Sequence, residues 1–264
     1  MEAVLNVLCI GDIVGSPGRQ MIRDHVAKLR KHHDIHFTIA NAENAAGGFG
    51  VTPIIYDELM RAGVDVCTSG NHIYGKREIL DQFDRMPRLI RPLNFPGPHP
   101  GKGVVYHQVG PTLVAVVNVI GRVFMGLSDC PFQALDTILV EVRKKTPVII
   151  VDIHAEATSE KQAFAWNFAG QVSAVFGTHT HVATADPSIL EGATAYVTDL
   201  GMTGAKRSVL GMEIATSIKK LRTQLPAAFS PSKSVEKMLN AVKISIDRTT
   251  GTALNIARVD LTTP

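Results

Sequence analysis

Five short segments carry the residues whose types could do chemistry. They are GDIVGSPGR with Asp12, NAENAAGGFG with Asn41, Glu43 and Asn44, TSGNHIYGK with Asn71 and His72, VIIVDIHAEATSEK with Asp152 and His154, and AVFGTHTHVATAD with His179 and His181. Carboxylate, amide and imidazole groups are metal donors, and a mixed oxygen and nitrogen set suits Fe, Mn or Zn, whereas an all-oxygen shell suits Mg or Ca. Two such ions about 3.5–4 Å apart can activate a water and clamp a phosphoryl group. His179 and His181 are one residue apart, which in extended backbone points both imidazoles to the same side, a recurrent metal-binding arrangement.

Taken singly, most of these segments have a plainer explanation. NAENAAGGFG reads as an Asn- and Gly-rich turn, and His154 as a hydrogen-bonded core histidine. The glycines after Asp12 could bend around a phosphate, but they lack the Gly-Lys-Ser/Thr of a P-loop and the GxGxxG spacing. Asn71 and His72 follow Gly70, which lets the backbone bend sharply. Together the segments are harder to dismiss, because buried charges need partners and a pair of divalent cations satisfies all of them.

The elements that must position these residues follow from the apolar pattern. Strand-like runs recur at Val4 to Ile10, His36 to Ala40, Val64 to Thr68, Leu113 to Val119, Val148 to Ile153, Val172 to Phe176 and Ala193 to Val197. Helix-like stretches alternate with them at Arg19 to Arg30, Thr52 to Arg61, Phe132 to Lys145 and Ser159 to Ala169. This alternation predicts an α/β fold. Each polar cluster then falls just after a strand, where open α/β sheets bind ligands. Val242, Ile244 and Ile246, the turn RTTG, and Leu254, Ile256 and Val259 predict a C-terminal β-hairpin at a sheet edge. The Pro- and Gly-rich stretch from Arg91 to Gly103 has chemistry-bearing residues on both sides, so it reads as a loop within one domain spanning residues 1–264.

Composition excludes several other classes. Of 264 residues, 45% are hydrophobic and 19% charged, the balance of a folded globular protein. The first residues have no basic start before their apolar run, which Asp12 ends too early for a secretory signal or membrane span. The net charge of +3 is scattered, so no stable nucleic-acid complex is expected. Cys9, Cys67 and Cys130 form no CxxC pair and are odd in number, which points to thiols in a reducing cytoplasm.

In order, GD, NAEN, GNH, DIHAEATSEK and GTHTHV resemble the YmdB-like branch of the calcineurin-like metallophosphoesterases, over the span from Asp12 to His181. The resemblance implies an α/β/β/α sandwich of two mixed β-sheets flanked by helices, with a dinuclear centre at one end. It implies Asp12, Glu43, Asn44 and His181 as ligands of one metal and Glu43, Asn71, His154 and His179 as ligands of the other, with Glu43 bridging. It further implies His72 as the general acid that protonates the leaving alkoxide while hydroxide from the metals attacks phosphorus. Two departures from the broader superfamily stand out. Val14 occupies the place where an Asp-x-His pair would put histidine, and Glu43 replaces the usual aspartate bridge. Asn44 fills the histidine's place, making the first metal site richer in oxygen. Iron is the leading candidate for the metals, with Mn, Zn and Mg as the others. The implied substrate is a small-molecule phosphate ester, notably a 2',3'-cyclic nucleotide, and a homo-oligomer is compatible with the sequence. Two other readings remain. A metal-dependent amidohydrolase would carry its His-x-His pair after the first strand, not late in the chain. A regulatory protein that binds nucleotides would need no general acid.

Overall fold

The computed structural model describes residues 3–264. One mixed sheet contains β1 (Val4–Ile10), β3 (Phe37–Asn41), β4 (Val66–Thr68), β13 (Ala241–Asp247) and β14 (Ala253–Arg258) in the order β14-β13-β1-β3-β4. A second contains β5 (Val104–Val109), β6 (Thr112–Ile120), β7 (Val148–His154), β8 (Ala174–Thr178), β9 (Ser188–Leu190) and β10 (Thr194–Val197) in the order β5-β6-β7-β8-β10-β9. A small third sheet, β15-β12-β11-β2, joins Leu261–Thr263, Lys237–Leu239, Met202–Ala205 and Asp12–Ile13. The helices are α1 (Gly15–His32), α2 (Pro53–Arg61), α3 (Pro131–Lys145), α4 (Thr158–Asn167) and α5 (Ile214–Thr223).

The period-2 alternation of β1 divides the core. Leu5, Val7 and Cys9 face the second sheet and meet Val114, Val116, Val148 and Ile150 across the sandwich. Leu8 and Ile10 face the other way, onto Met21, Ile22 and Val26 of α1. On the far side, Val117, Val119 and Val151 pack against Leu135 and Leu139 of α3 and Phe164 of α4. The layers are therefore helix, sheet, sheet, helix, as the family resemblance implied. Strands covered on both faces must be apolar throughout, which is why β1, β7 and β8 read as continuous runs.

Local signals set several boundaries. Thr52 caps α2 by accepting a hydrogen bond from the Ile55 amide at 3.2 Å, with Pro53 at the first helical position. α1 begins at Gly15, four residues before the expected Arg19, because Gly15 turns at φ 58° and Pro17 is tolerated in a first turn. The C-terminal hairpin forms as expected, but only β14 lies at the edge; β13 pairs with β1 on its other side. The stretch from Arg91 to Gly103 is a loop tied to the second sheet by hydrogen bonds from the Leu93 amide to Asn118 O and from the Asn118 amide to Gly103 O. Among the described residues, no helix is long and apolar enough to cross a membrane.

Candidate metal centre

The parallel strands β1, β3 and β4 of one sheet and β7 and β8 of the other end at the same place. Asp12 follows β1, Glu43 and Asn44 follow β3, Asn71 and His72 follow β4, His154 is the last residue of β7, and His179 and His181 follow β8. All eight residues expected to act in metal binding or acid catalysis thus come together, with Glu43, Asn71, His154 and His179 in one group and Asp12, Asn44 and His181 in another.

In the first group, His154 Nε2 lies 3.1 Å from Glu43 Oε1, 3.0 Å from Asn71 Oδ1 and 3.0 Å from His179 Nδ1. One ring nitrogen can carry one proton, so it cannot satisfy three such neighbours at once. In the second group, His181 Nε2 lies 3.3 Å from Asn44 Oδ1 and 3.8 Å from Asp12 Oδ1. Asp12 is fully buried and its Oδ1 has no hydrogen-bond partner. A buried, unpartnered carboxylate oxygen beside an imidazole and an amide oxygen is the donor set that a cation would complete. Ligand atoms of Glu43, His154 and His179 all lie within 4.8 Å of one another. The residues present therefore fit bound metal.

Electrostatics agree with this. Burial alone would lift the Glu43 carboxyl, but the charge and hydrogen bond of His154, with His72, bring it down to about 2. Burial alone would depress His154, but Glu43 and the other carboxylates raise it to about 9. A proton on His154 thus balances the carboxylates where a cation would otherwise do so. Burial and the His154 charge push His179 down to about 3.

A second layer of side chains fixes these candidate donors. Thr178 Oγ1 lies 2.9 Å from His154 Nδ1 and donates to Asp152 Oδ1 at 2.7 Å. Asn41 donates to Asp152 Oδ2 and to Ser69 O, and its own Oδ1 accepts from the Glu43 amide. Asp152, one of the strand-end carboxylates singled out in the sequence, therefore stands behind His154 and orients its ring through Thr178.

One local expectation changes in its reason. His179 and His181 do not lie on extended backbone; their φ values are 100° and 61°. Their rings still converge because the loop is pinned: the His179 amide donates to Asp12 Oδ2 and the Thr180 amide to Asp199 Oδ2. Gly70 opens the expected bend, its carbonyl accepting from the Ile73 amide at 3.2 Å. A Cβ there would come within 2.2 Å of the His154 ring and 2.5 Å of Glu43 Oε2, so glycine provides room for the ligands.

Sequence reasoning missed Lys161 and Asp199. Lys161 is fully buried, and its Nζ donates to Asp199 Oδ2 at 2.7 Å. Asp199 Oδ2 also accepts from the Thr180 amide, so the pair anchors the His179–His181 loop. Its only signal was a lysine inside the quoted DIHAEATSEK motif, and nothing in the spacing marks that lysine as buried.

His72, expected as the acid, has its Nδ1 3.0 Å from Asn44 Nδ2 and 3.5 Å from Glu43 Oε1, with its side chain about one-third exposed. It borders a cavity of about 720 Å³ that also reaches Glu43, His179 and His181.

Comparison with known proteins places these features in context. The family model described as YmdB-like protein matches residues 8–259. The chain is 48% identical over 255 residues to the 2',3'-cyclic-nucleotide 2'-phosphodiesterase of Bacillus subtilis (strain 168), covering 97% of this chain and 96% of that one. A crystal structure of a hypothetical protein from Thermus thermophilus superposes with a TM-score of 0.92 at 37% identity, covering 98% of this chain and 100% of that one. One of a phosphatase from Mycoplasma pneumoniae superposes at 0.93 and 31% identity, covering 99% and 95%.

Proposed function

This chain belongs to the YmdB-like family, and on that footing we propose that it is a phosphodiesterase that holds two metal ions and hydrolyses 2',3'-cyclic nucleotides. The observation that carries the reading is the convergence of Glu43, His154 and His179 within 4.8 Å, beside the unpartnered Oδ1 of Asp12, in a chain 48% identical to a 2',3'-cyclic-nucleotide 2'-phosphodiesterase.

Asp12, Asn44 and His181 would hold one ion, and Asn71, His154 and His179 the other, with Glu43 shared between them. Such ions supply Lewis acidity toward the phosphoryl oxygens and lower the pKa of water. Iron or manganese fits the mixed oxygen and imidazole donors, with zinc or magnesium as alternatives.

His72 serves as the general acid. Its Nδ1 is held between Asn44 Nδ2 at 3.0 Å and Glu43 Oε1 at 3.5 Å, which leaves Nε2 as the nitrogen that would face the substrate. As the water oxygen bonds to phosphorus and the ester P–O bond opens, the imidazolium form of His72 gives its Nε2 proton to the departing ribose oxygen and is left as neutral imidazole, while the proton of the attacking water passes to solvent, from which the ring is recharged. Asn44 thereby links one ion's ligand shell to the position of the acid. Asp152 and Thr178 keep His154 oriented throughout.

The test is turnover of a panel by the Mn²⁺- or Fe²⁺-reconstituted protein: 2',3'-cyclic nucleotides, 3',5'-cyclic nucleotides and linear monoesters. The 2',3'-cyclic compounds should give the highest kcat/KM. Bound metals with no turnover of any ester would instead favour a regulatory protein that binds nucleotides.

A further inference from the structure

Chemistry at the cation cluster gives no reason for the three glycines that follow Asn44, nor for the apolar wall formed by the segment around α5. Gly47, Gly48 and Gly50 all adopt left-handed backbone, at φ 70°, 88° and 79°. The turn they make presents Phe49, which remains 47% exposed. That ring is seated, not loose. Its centroid lies 4.5 Å from that of His72, and a Cβ on Gly75 would meet its Cε1 at 2.4 Å.

The same turn packs against the α5 segment. A Cβ on Gly48 would meet Met212 Cε at 2.6 Å. Phe49, Leu210, Met212, Leu221 and Phe229 line the same cavity as Glu43, His72 and His179. Phe229 carries Lys220 Nζ 4.2 Å from its ring centroid, and its ring is 47% exposed. Ser217, a polar side chain on this wall, already donates its hydroxyl to Glu213 O. One cavity thus joins charged metal donors to apolar faces, the division of a nucleotide between phosphate and base. Its volume of about 720 Å³ is within the usual range for a small-molecule site.

We propose that Phe49, Leu210, Met212, Leu221 and Phe229 form a base subsite that grips the nucleobase by its faces and does not read its hydrogen-bonding edges. This deepens the phosphodiesterase reading and rests on it. Stacking on apolar and aromatic faces tolerates any base, because every base has a π-face. The enzyme should therefore require a base without selecting one.

The test compares the four 2',3'-cyclic nucleotides with methyl ribofuranoside 2,3-cyclic phosphate, which has the same reacting group and no base. The four nucleotides should agree in kcat/KM within about tenfold, each exceeding the base-free ester by about tenfold or more, the scale set by stacking one base. Phe229→Ala and Leu221→Asn should lower kcat/KM for the nucleotides by about tenfold, mainly through KM, and by much less for the base-free ester. Both side chains are well exposed, and unchanged melting temperatures would show that the fold is kept. Equal kcat/KM for base-free and nucleotide esters, equal losses on both in the variants, or strong selection of one base would overturn the subsite. Loss of all ester turnover in the wild-type protein would instead overturn the phosphodiesterase reading beneath it.

Discussion

Glu43 and His72 are neighbours whose jobs separate cleanly by experiment. In the proposed centre Glu43 is shared by both cations, so Glu43→Gln would remove the negative charge common to them. Its metal content after reconstitution should fall for both ions together, by elemental analysis, and activity should fall with it; full content and full activity would exclude a bridge. His72→Ala should keep its metals and lose turnover by roughly two to four orders of magnitude. The loss should shrink on a nitrophenyl ester, whose leaving group departs without a proton. Loss of metal in that variant would make His72 a ligand instead. Residue types at this scale were legible in the sequence, since Asp12, Glu43, Asn44, Asn71, His154, His179 and His181 all converge at the strand ends. Their support was less so. Asn41 and Asp152 looked like possible ligands, and only the tertiary contact through Thr178 gives Asp152 its place behind His154.

At the level of elements, the continuous apolar runs revealed β1, β7 and β8 because those strands are buried on both faces, and the strand-end rule then located the site. The short strands were illegible for the same physical reason. β2 has two residues and β12 and β15 three each, too few for any periodicity to emerge, and their pairing is set by distant partners. The His179–His181 loop was misread as extended because its left-handed backbone is imposed by Asp12 and by the Lys161–Asp199 pair. That pair has a measurable consequence. Lys161→Met would strand the buried Asp199 carboxylate, and breaking such a pair costs about 3–5 kcal/mol. Chemical denaturation should show that loss, and metal affinity should drop because the loop bearing two ligands loses its anchor. A Lys161→Met, Asp199→Leu double variant should recover part of the stability. A single variant as stable as the wild type would show that the pair is not the anchor.

Across the whole molecule, the sandwich brings the ends of two sheets to one edge, and neither sheet alone carries all the donors of the proposed centre. The order of motifs along the chain could not reveal this closure by itself; the family resemblance supplied it. The same packing buries Cys9 and Cys67 between and behind the sheets, while Cys130 stays partly exposed ahead of α3. Burial pushes the Cys67 thiol up to about 12 and raises Cys9 as well. Because the thiolate is the reactive form, raised values suppress reaction at any pH below them. A thiol reagent at about pH 8, near the ordinary cysteine pKa, should therefore modify Cys130 alone in the native protein and all three cysteines after unfolding, as counted by mass spectrometry. In the proposed two-metal centre, hydrolysis requires both cations. The most direct test of this adds Mn²⁺ or Fe²⁺ stepwise to metal-free protein while measuring bound metal per chain and hydrolysis of 2',3'-cyclic AMP in the same samples. Activity should stay low through the first equivalent and rise as content approaches about two ions per chain. Full turnover at one ion or none would contradict the account.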